Sequence, residues 1–141
     1  INMQTFLPYP DFKKSASCLD YKRLGKQRVE GLQILNAIQG ETTLKGKTYK
    51  GWINHPATIM WKQFPQALML YTNTMINEWE ERGYNNSMKR YKIPLRIKMP
   101  LWLGNTELHA SHRSNLLRKD KLFYAQYGWN ESADLPYVWP V

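Results

Sequence analysis

Along residues 20–40, Leu24, Arg28, Gly31, Leu35 and Ile38 fall at helical intervals, and Leu32 and Ile34 widen the apolar side in the second half. The pattern predicts one helix with a polar first half and a core-facing second half. Ser15, Ser17 or Asp20 can cap its start, and Gly40 is a suitable left-handed stop. A second helix opens at Asn54-His55-Pro56, with Pro56 in the first turn where its missing N–H costs nothing, and continues through Ile59, Met60 and Trp61. Pro65 forces a new start. A third helix then runs over about 66–82, with Leu68, Tyr71, Met75 and Trp79 on its core stripe and Gly83 as its stop. A final helix, or a pair broken near Asp120, follows the cap Asn105-Thr106-Glu107 and reaches Gly128, with Leu108 and Leu117 on its buried side. Single glycines read as helix stops.

Between these helices the chain is extended or looped. Pro8 and Pro10 break both helix and ladder, so residues 1–12 read as an extended arm. Residues 41–52, with Lys45, Lys47, Lys50, Gly46 and Gly51, read as a basic loop or short hairpin, either a phosphate contact or a solvated connector. In residues 84–100, Ile93, Leu95, Ile97 and Met99 alternate with polar residues while Pro94 and Pro100 oppose a long helix, which predicts a short edge strand or an extended track. The tail around Tyr137 and Trp139, with Pro136 and Pro140, should lie extended against the body. The expected fold is all-α: a compact single-domain bundle over residues 1–141, with long basic loops and an extended N-terminal arm.

Charge changes the picture from fold to partner. The net charge is +9, an excess that costs self-repulsion and is matched most naturally by nucleic acid. It is unevenly spread, since Arg82, Lys89, Arg90, Lys92, Arg96 and Lys98 lie in one stretch without an acid. Aromatic residues are interleaved with the bases, as in Lys89-Arg90-Tyr91-Lys92, which suits phosphate contact beside stacking. One cysteine, Cys18, rules out an internal disulfide framework and a thiolate-rich zinc site. No apolar run approaches the roughly 18 residues of a membrane span and no signal-peptide pattern opens the chain. A cytoplasmic monomer, held at the nucleoid when bound to DNA, is the expectation.

The candidate chemistry gathers at three places. In the first long helix, Lys22, Arg23, Lys26 and Arg28 crowd around Glu30. Glu30, with Arg28 beside it, can stabilise a cationic sugar-like transition state or carry a proton, or it can be a plain ion-pair partner. In the last long helix, His109, His112, Arg113 and Leu116 share one face. The histidines lack the i, i+4 spacing of helical zinc motifs and have a guanidinium beside them, so a metal is not expected. They read as phosphate donors with Arg113 and Lys119, or one of them as a satisfied core histidine. Third, the arm can carry an α-amine to a site, where a reference pKa near about 7.7–8.0 leaves it partly nucleophilic.

Several strings carry a resemblance. Leu19 to Glu30 reads LDxKRLGKQRVE, His55 to Ala57 reads HPA, and Ser111 to Asp120 reads SHRSxLLRKD; the opening Ile1-Asn2-Met3 and Tyr124 to Trp129 extend the match. With these the chain resembles the small pyrimidine-dimer DNA glycosylase family of the bacteriophage endonuclease V type, and within it a bacterial and phage branch. The resemblance implies an all-helical domain that binds and bends duplex DNA, opens the damaged site, and needs no metal or organic cofactor. It further implies an N-terminal α-amine that attacks the sugar C1′ and an acid in the first long helix that relays protons for strand cleavage. The phage enzyme's acid position falls on Arg23 here, and its N-terminal residue lies two positions ahead of Ile1. Either Glu30, two turns further on, substitutes for it, or the branch does different chemistry on DNA, or none. The expected activity is base excision at damaged pyrimidines, with abasic-site lyase activity, and with Lys22, Arg23, Lys26, His109, His112, Arg113 and Lys119 on the DNA. The alternatives are a non-catalytic DNA-binding module on the same scaffold and an enzyme of modified bases or nucleotides.

Overall fold

The longest helix owes its start to one carboxylate. Asp20 caps it by accepting the Arg23 N–H at 3.3 Å, and Gly40, at φ 70°, ends it. The structure, a computed structural model, describes residues 4–40 and 53–141. Six α-helices occur among the described residues: α1 (Phe12–Cys18), α2 (Tyr21–Gln39), α3 (Pro56–Trp61), α4 (Pro65–Glu81), α5 (Thr106–Lys119) and α6 (Lys121–Tyr124), the last running into a 3-10 turn at Ala125–Tyr127. No strand occurs among them, so the fold is all-α.

The expected boundaries are close to the observed ones. His55 caps α3 by accepting the Ala57 N–H at 3.0 Å, and Asp120 separates α5 from α6. The short α1 has no counterpart among the expected helices; it is capped by Asp11, which accepts the Lys14 N–H at 2.8 Å, and its seven residues are too few to show a period. Residues 84–100 take the extended-track form rather than a strand. They are docked on α4 by Asn73, which accepts the Tyr91 N–H at 2.8 Å and donates to the Tyr91 carbonyl at 2.9 Å. The expected basic loop at 41–52 and the first three residues of the arm lie outside the described residues.

α2 crosses α4 closely, and two glycines make the crossing possible. A Cβ at Gly31 would sit 2.1 Å from Thr72 Oγ1 and 3.1 Å from Thr72 Cβ, and one at Gly25 would sit 2.8 Å from the Trp79 ring. These mid-helix glycines are therefore contact points, not stops. Leu24, Ile34, Leu35, Leu68, Tyr71 and Met75 fill the space between the helices with negligible exposure. Tyr71 is wedged between Phe12 and Trp61, with ring centroids at 5.6 and 5.7 Å.

The N-terminal arm is inside the protein. Thr5, Phe6 and Leu7 are buried, and an isolated extended segment in a core has no neighbouring strand to satisfy its backbone. Side chains replace the ladder. The Phe6 N–H donates to the Tyr71 hydroxyl at 2.9 Å, the Leu7 N–H to His112 Nδ1 at 2.8 Å, and the Leu7 carbonyl accepts from His109 Nδ1 at 2.7 Å. Gln27 Nε2 donates to the Gln4 carbonyl at 3.0 Å and Arg113 Nη1 to the Pro8 carbonyl at 2.7 Å. The arm is thus held at almost every residue by α2, α4 and α5.

Candidate functional site

Where the arm, α2 and the end of α5 meet, a pocket of about 230 Å³ opens, lined by Gln4, Phe6, Lys22, Arg23, Lys26, Gln27, Glu30 and Lys119. Arg23, Lys26, Gln27 and Glu30 reach it together because a helix returns to the same side at i+3, i+4 and i+7. Four cations and one carboxylate line the wall. Lys22, Arg23 and Lys119 also border a neighbouring depression of about 470 Å³, whose other walls include Asp20, Tyr21 and Phe123. The two form one basic groove across the α2 start and the α5 end.

Glu30 is the buried group of this site, only 5% exposed. Its Oε2 accepts from Gln27 Nε2 at 3.0 Å, and Lys26 Nζ stands 3.7 Å from its Oε1. Burial pushes its pKa up and outweighs the pull of Lys26, a backbone hydrogen bond from Gln4, Gln27 and the more distant Lys119. The carboxyl is therefore held by specific donors yet carries an unrelieved cost for its charge. Gln27 joins the site to the arm, since its Oε1 accepts from the Phe6 N–H at 3.2 Å and from the Tyr71 hydroxyl at 2.5 Å. Neither Gln27 nor Tyr71 stands out in the sequence as a site residue; the only signal is that Gln27 precedes Glu30 by three.

Asp20 is the second carboxylate of the groove and has a structural task. Its Oδ1 accepts from the Tyr124 hydroxyl and from Arg23 Nη1, the latter at 3.2 Å. Burial alone would raise its pKa, but the Tyr124 and Arg23 hydrogen bonds prevail and hold it below the usual carboxylate value. Arg23 is thereby fixed beside the pocket. From Arg23 to Glu30 is about 10 Å along one helix face, two turns at about 1.5 Å per residue.

Four of the expected site residues are placed elsewhere. Arg28 turns to the other side of α2, over the Trp79 ring at 4.3 Å, with its Nη1 donating to Asn86 Oδ1 at 2.6 Å; it does not line the pocket with Glu30. His109 and His112, expected to donate to phosphate, are 2% and 0% exposed, so no phosphate reaches them. The reason is the arm, whose backbone needs their ring nitrogens. The Gly104 N–H donates to His109 Nε2 at 2.9 Å, so His109 carries its proton on Nδ1; His112 accepts at Nδ1 and carries its proton on Nε2. Burial drives the pKa of His112 down to about 3 and lowers that of His109, so both rings are neutral. Arg113 is committed to Glu131 at 2.9 Å and to the Pro8 carbonyl.

Outside the groove, further positive charge lies on the 84–100 track. Lys89, Arg90, Lys92, Arg96 and Lys98 are all exposed on the 84–100 track, beside the fully exposed Leu95. Cys18 is buried, and burial pushes its thiol up to about 12, so it is not a nucleophile at neutral pH. Among the described residues no group of three or more potential metal ligands occurs, and no helix is long and apolar enough to cross a membrane.

A comparison with protein families decides the affiliation. The family model of pyrimidine dimer DNA glycosylase matches residues 3–92, more than half of the 141-residue chain. The chain belongs to that family. No curated protein and no solved structure gives a match. The matched span contains the arm, α2 and α4, hence every wall of the pocket except Lys119. Within this pocket α2 places the Glu30 carboxylate and the Arg23 guanidinium along the same cavity.

Proposed function

We propose that this chain excises bases at pyrimidine dimers in duplex DNA, using the arm–α2–α5 pocket, and goes on to cleave the abasic strand. The observation that carries the reading is Glu30: a nearly buried carboxylate, on the same α2 face as Arg23, turned into a pocket walled by four cations. Breaking a glycosidic bond leaves positive charge on the sugar C1′ and ring oxygen, and a fixed carboxylate stabilises that charge most where water is scarce. Lys22, Arg23, Lys26 and Lys119 hold the flanking phosphates, and positive charge beside the departing base favours its leaving with the bonding pair. The target nucleotide has to leave the stack to reach the pocket, and the exposed basic track at 84–100 supplies further backbone contact. His109, His112 and Arg113 serve by fixing the arm that forms one pocket wall, and Arg28 by fixing the outer side of α2.

A second reading, a DNA-binding module without catalysis, is favoured by Arg23 at the phage enzyme's acid position. One experiment separates the two. The full chain is incubated in excess with a duplex carrying a single cyclobutane pyrimidine dimer, beside an undamaged duplex, and base release and strand cleavage are followed. The expected result is turnover of the damaged duplex only, with Glu30→Gln slower by about 10²–10⁴, the range typical of a positioned acid or base. Unchanged activity in Glu30→Gln removes the acid assignment. Salt-sensitive binding with no base release establishes the module instead.

A further inference from the structure

Residues 84–100 run back along α4 with their two sides sorted by polarity. Tyr84 packs on Trp79 near the α4 end, Asn73 docks Tyr91 at mid-helix, and Lys98 reaches the Phe64 ring at the α4 start, 5.4 Å from its centroid. An extended chain points alternate side chains to opposite sides. Tyr91, Ile93 and Ile97 are accordingly partly covered, Tyr91 and Ile97 against the core, while Lys92, Pro94, Arg96 and Lys98 are exposed. Leu95 falls in the inward register of this alternation, yet it is 100% exposed. It follows Pro94 at a bend over 95–96, which turns it out.

A leucine alone on a surface is ordinary. The setting of this one is not. No acid occurs between residues 82 and 106, and Lys92, Arg96 and Lys98, which flank Leu95, form no ion pair among the described residues. Its mount is fixed to the helix that carries the groove: Asn86 accepts from Arg28 of α2, and the Tyr84 ring lies 6.2 Å from that of Tyr21, which borders the depression beside Lys22 and Arg23. A bare apolar tip thus projects from an anchored basic segment next to the basic groove.

From this placement we propose that Leu95 is a wedge for duplex DNA: the track follows the minor groove, and Leu95 enters between two stacked base pairs and kinks the duplex there. The purpose of the kink rests on the glycosylase reading, since a step opened beside the lesion lowers the cost of extruding the target nucleotide. The minor groove, about 6 Å wide, takes a single extended chain more readily than a helix or a hairpin. Cations hold its phosphate walls, and an apolar side chain is what a partly unstacked base step accepts. Pro94 and Pro100 restrict the backbone on both sides of Leu95, so little freedom is lost when the tip is inserted. A lipid surface also takes basic segments, but one apolar side chain between cations suits a single gap between base pairs better than an acyl layer.

The test uses the full chain and a duplex with one cyclobutane pyrimidine dimer, with 2-aminopurine at the flanking steps and a pair of energy-transfer dyes at the ends. Both signals are read without base release. The natural protein is expected to raise the 2-aminopurine fluorescence at a flanking step and to bring the ends closer, by a kink within the about 20–90° range of wedge-inserting proteins. Leu95→Ala should lose both changes and keep the salt slope of binding, because no phosphate contact is removed. Leu95→Phe should restore them. As Leu95 is fully exposed, the melting temperature of the alanine variant should match that of the natural protein. A kink and fluorescence rise that persist in Leu95→Ala overturn the wedge, as does their absence in the natural protein; base release from the dimer duplex would then leave the glycosylase reading standing. A kink that depends on Leu95 without base release has the opposite meaning, keeping the wedge and removing the reading. Binding to phosphatidylserine vesicles that is lost in Leu95→Ala, with the kink retained, would assign the residue to a lipid surface and overturn the wedge.

Discussion

At the scale of single residues, the pocket and the core place opposite demands on two titrating groups. Glu30 has its pKa raised by burial, so the folded state holds its proton more tightly than the unfolded one. Its contribution favours the fold below the unfolded carboxylate value and is lost as pH rises through the folded value. Glu30→Gln, which removes the buried charge and can keep the Gln27 contact, should therefore raise the melting temperature at pH 7 while lowering activity, a stability cost placed at a working residue. A lower melting temperature in Glu30→Gln would mean that Lys26 and Gln27 more than offset the burial. His112 behaves in the other sense. Its pKa falls from 6.5 to about 3 on folding, so its stabilising effect is complete above pH 6.5 and is lost as pH falls towards 3. Thermal unfolding should show a decline that begins below about pH 6.5, and His112→Ala should flatten it. The same variant should cost about 2–5 kcal/mol at pH 7, since it leaves a cavity and an unpaired Leu7 N–H. The role of His112 is not legible in the sequence. Its spacing from His109 and Arg113 puts three polar groups on one face, but only the folded arm shows that the face points inward.

At the scale of elements, α2 carries two faces with different tasks: Arg23, Lys26, Gln27 and Glu30 towards the pocket, and Gly25 and Gly31 towards α4. The existence, caps and ends of α2, α3, α4 and α5 can be read from Asp20, Gly40, His55-Pro56, Pro65, Gly83 and Asn105, because capping chemistry is local. Gly25 and Gly31 cannot be read in this way, since a close crossing depends on a partner helix that the sequence does not place. Gly31→Ala decides between two effects. Alanine gains about 1 kcal/mol of helix propensity, but its methyl meets Thr72 Oγ1 at 2.1 Å and Thr72 Cβ at 3.1 Å. Thr72 is itself tied to the Leu68 carbonyl at 2.8 Å, so the helices have to separate. The net expectation is a loss of about 1–3 kcal/mol by denaturant unfolding, the usual range for overpacking. A more stable Gly31→Ala protein would show that the crossing has room for a methyl group.

At the scale of the whole molecule, an arm threaded through a helical core and a groove of positive charge around its entrance form one arrangement. The basic excess is legible from composition, and Lys22, Arg23, Lys26, Lys119 and Glu30 do come together in one pocket. The alignment of the arm with that pocket is not, because extended segments carry no period and its backbone is satisfied by side chains more than 60 residues away, such as Tyr71, His109 and His112. If phosphates are held by the pocket rim, log K for duplex binding should fall by about 0.9 per neutralised phosphate for each tenfold rise in salt, and Lys22→Ala should reduce that slope by about 1. A slope unchanged by Lys22→Ala places the phosphates elsewhere on the basic surface. The role of Glu30 is read most directly from the pH–rate profile of single-turnover base release on a dimer-containing duplex. With Glu30 acting as the buried carboxylate beside the sugar cation, the rate should climb with pH along a limb displaced above the ordinary carboxylate range, and Glu30→Gln should lose both the limb and the rate. Base release in Glu30→Gln at the natural protein's rate, with the same pH limb, would show that this carboxylate takes no part in the chemistry.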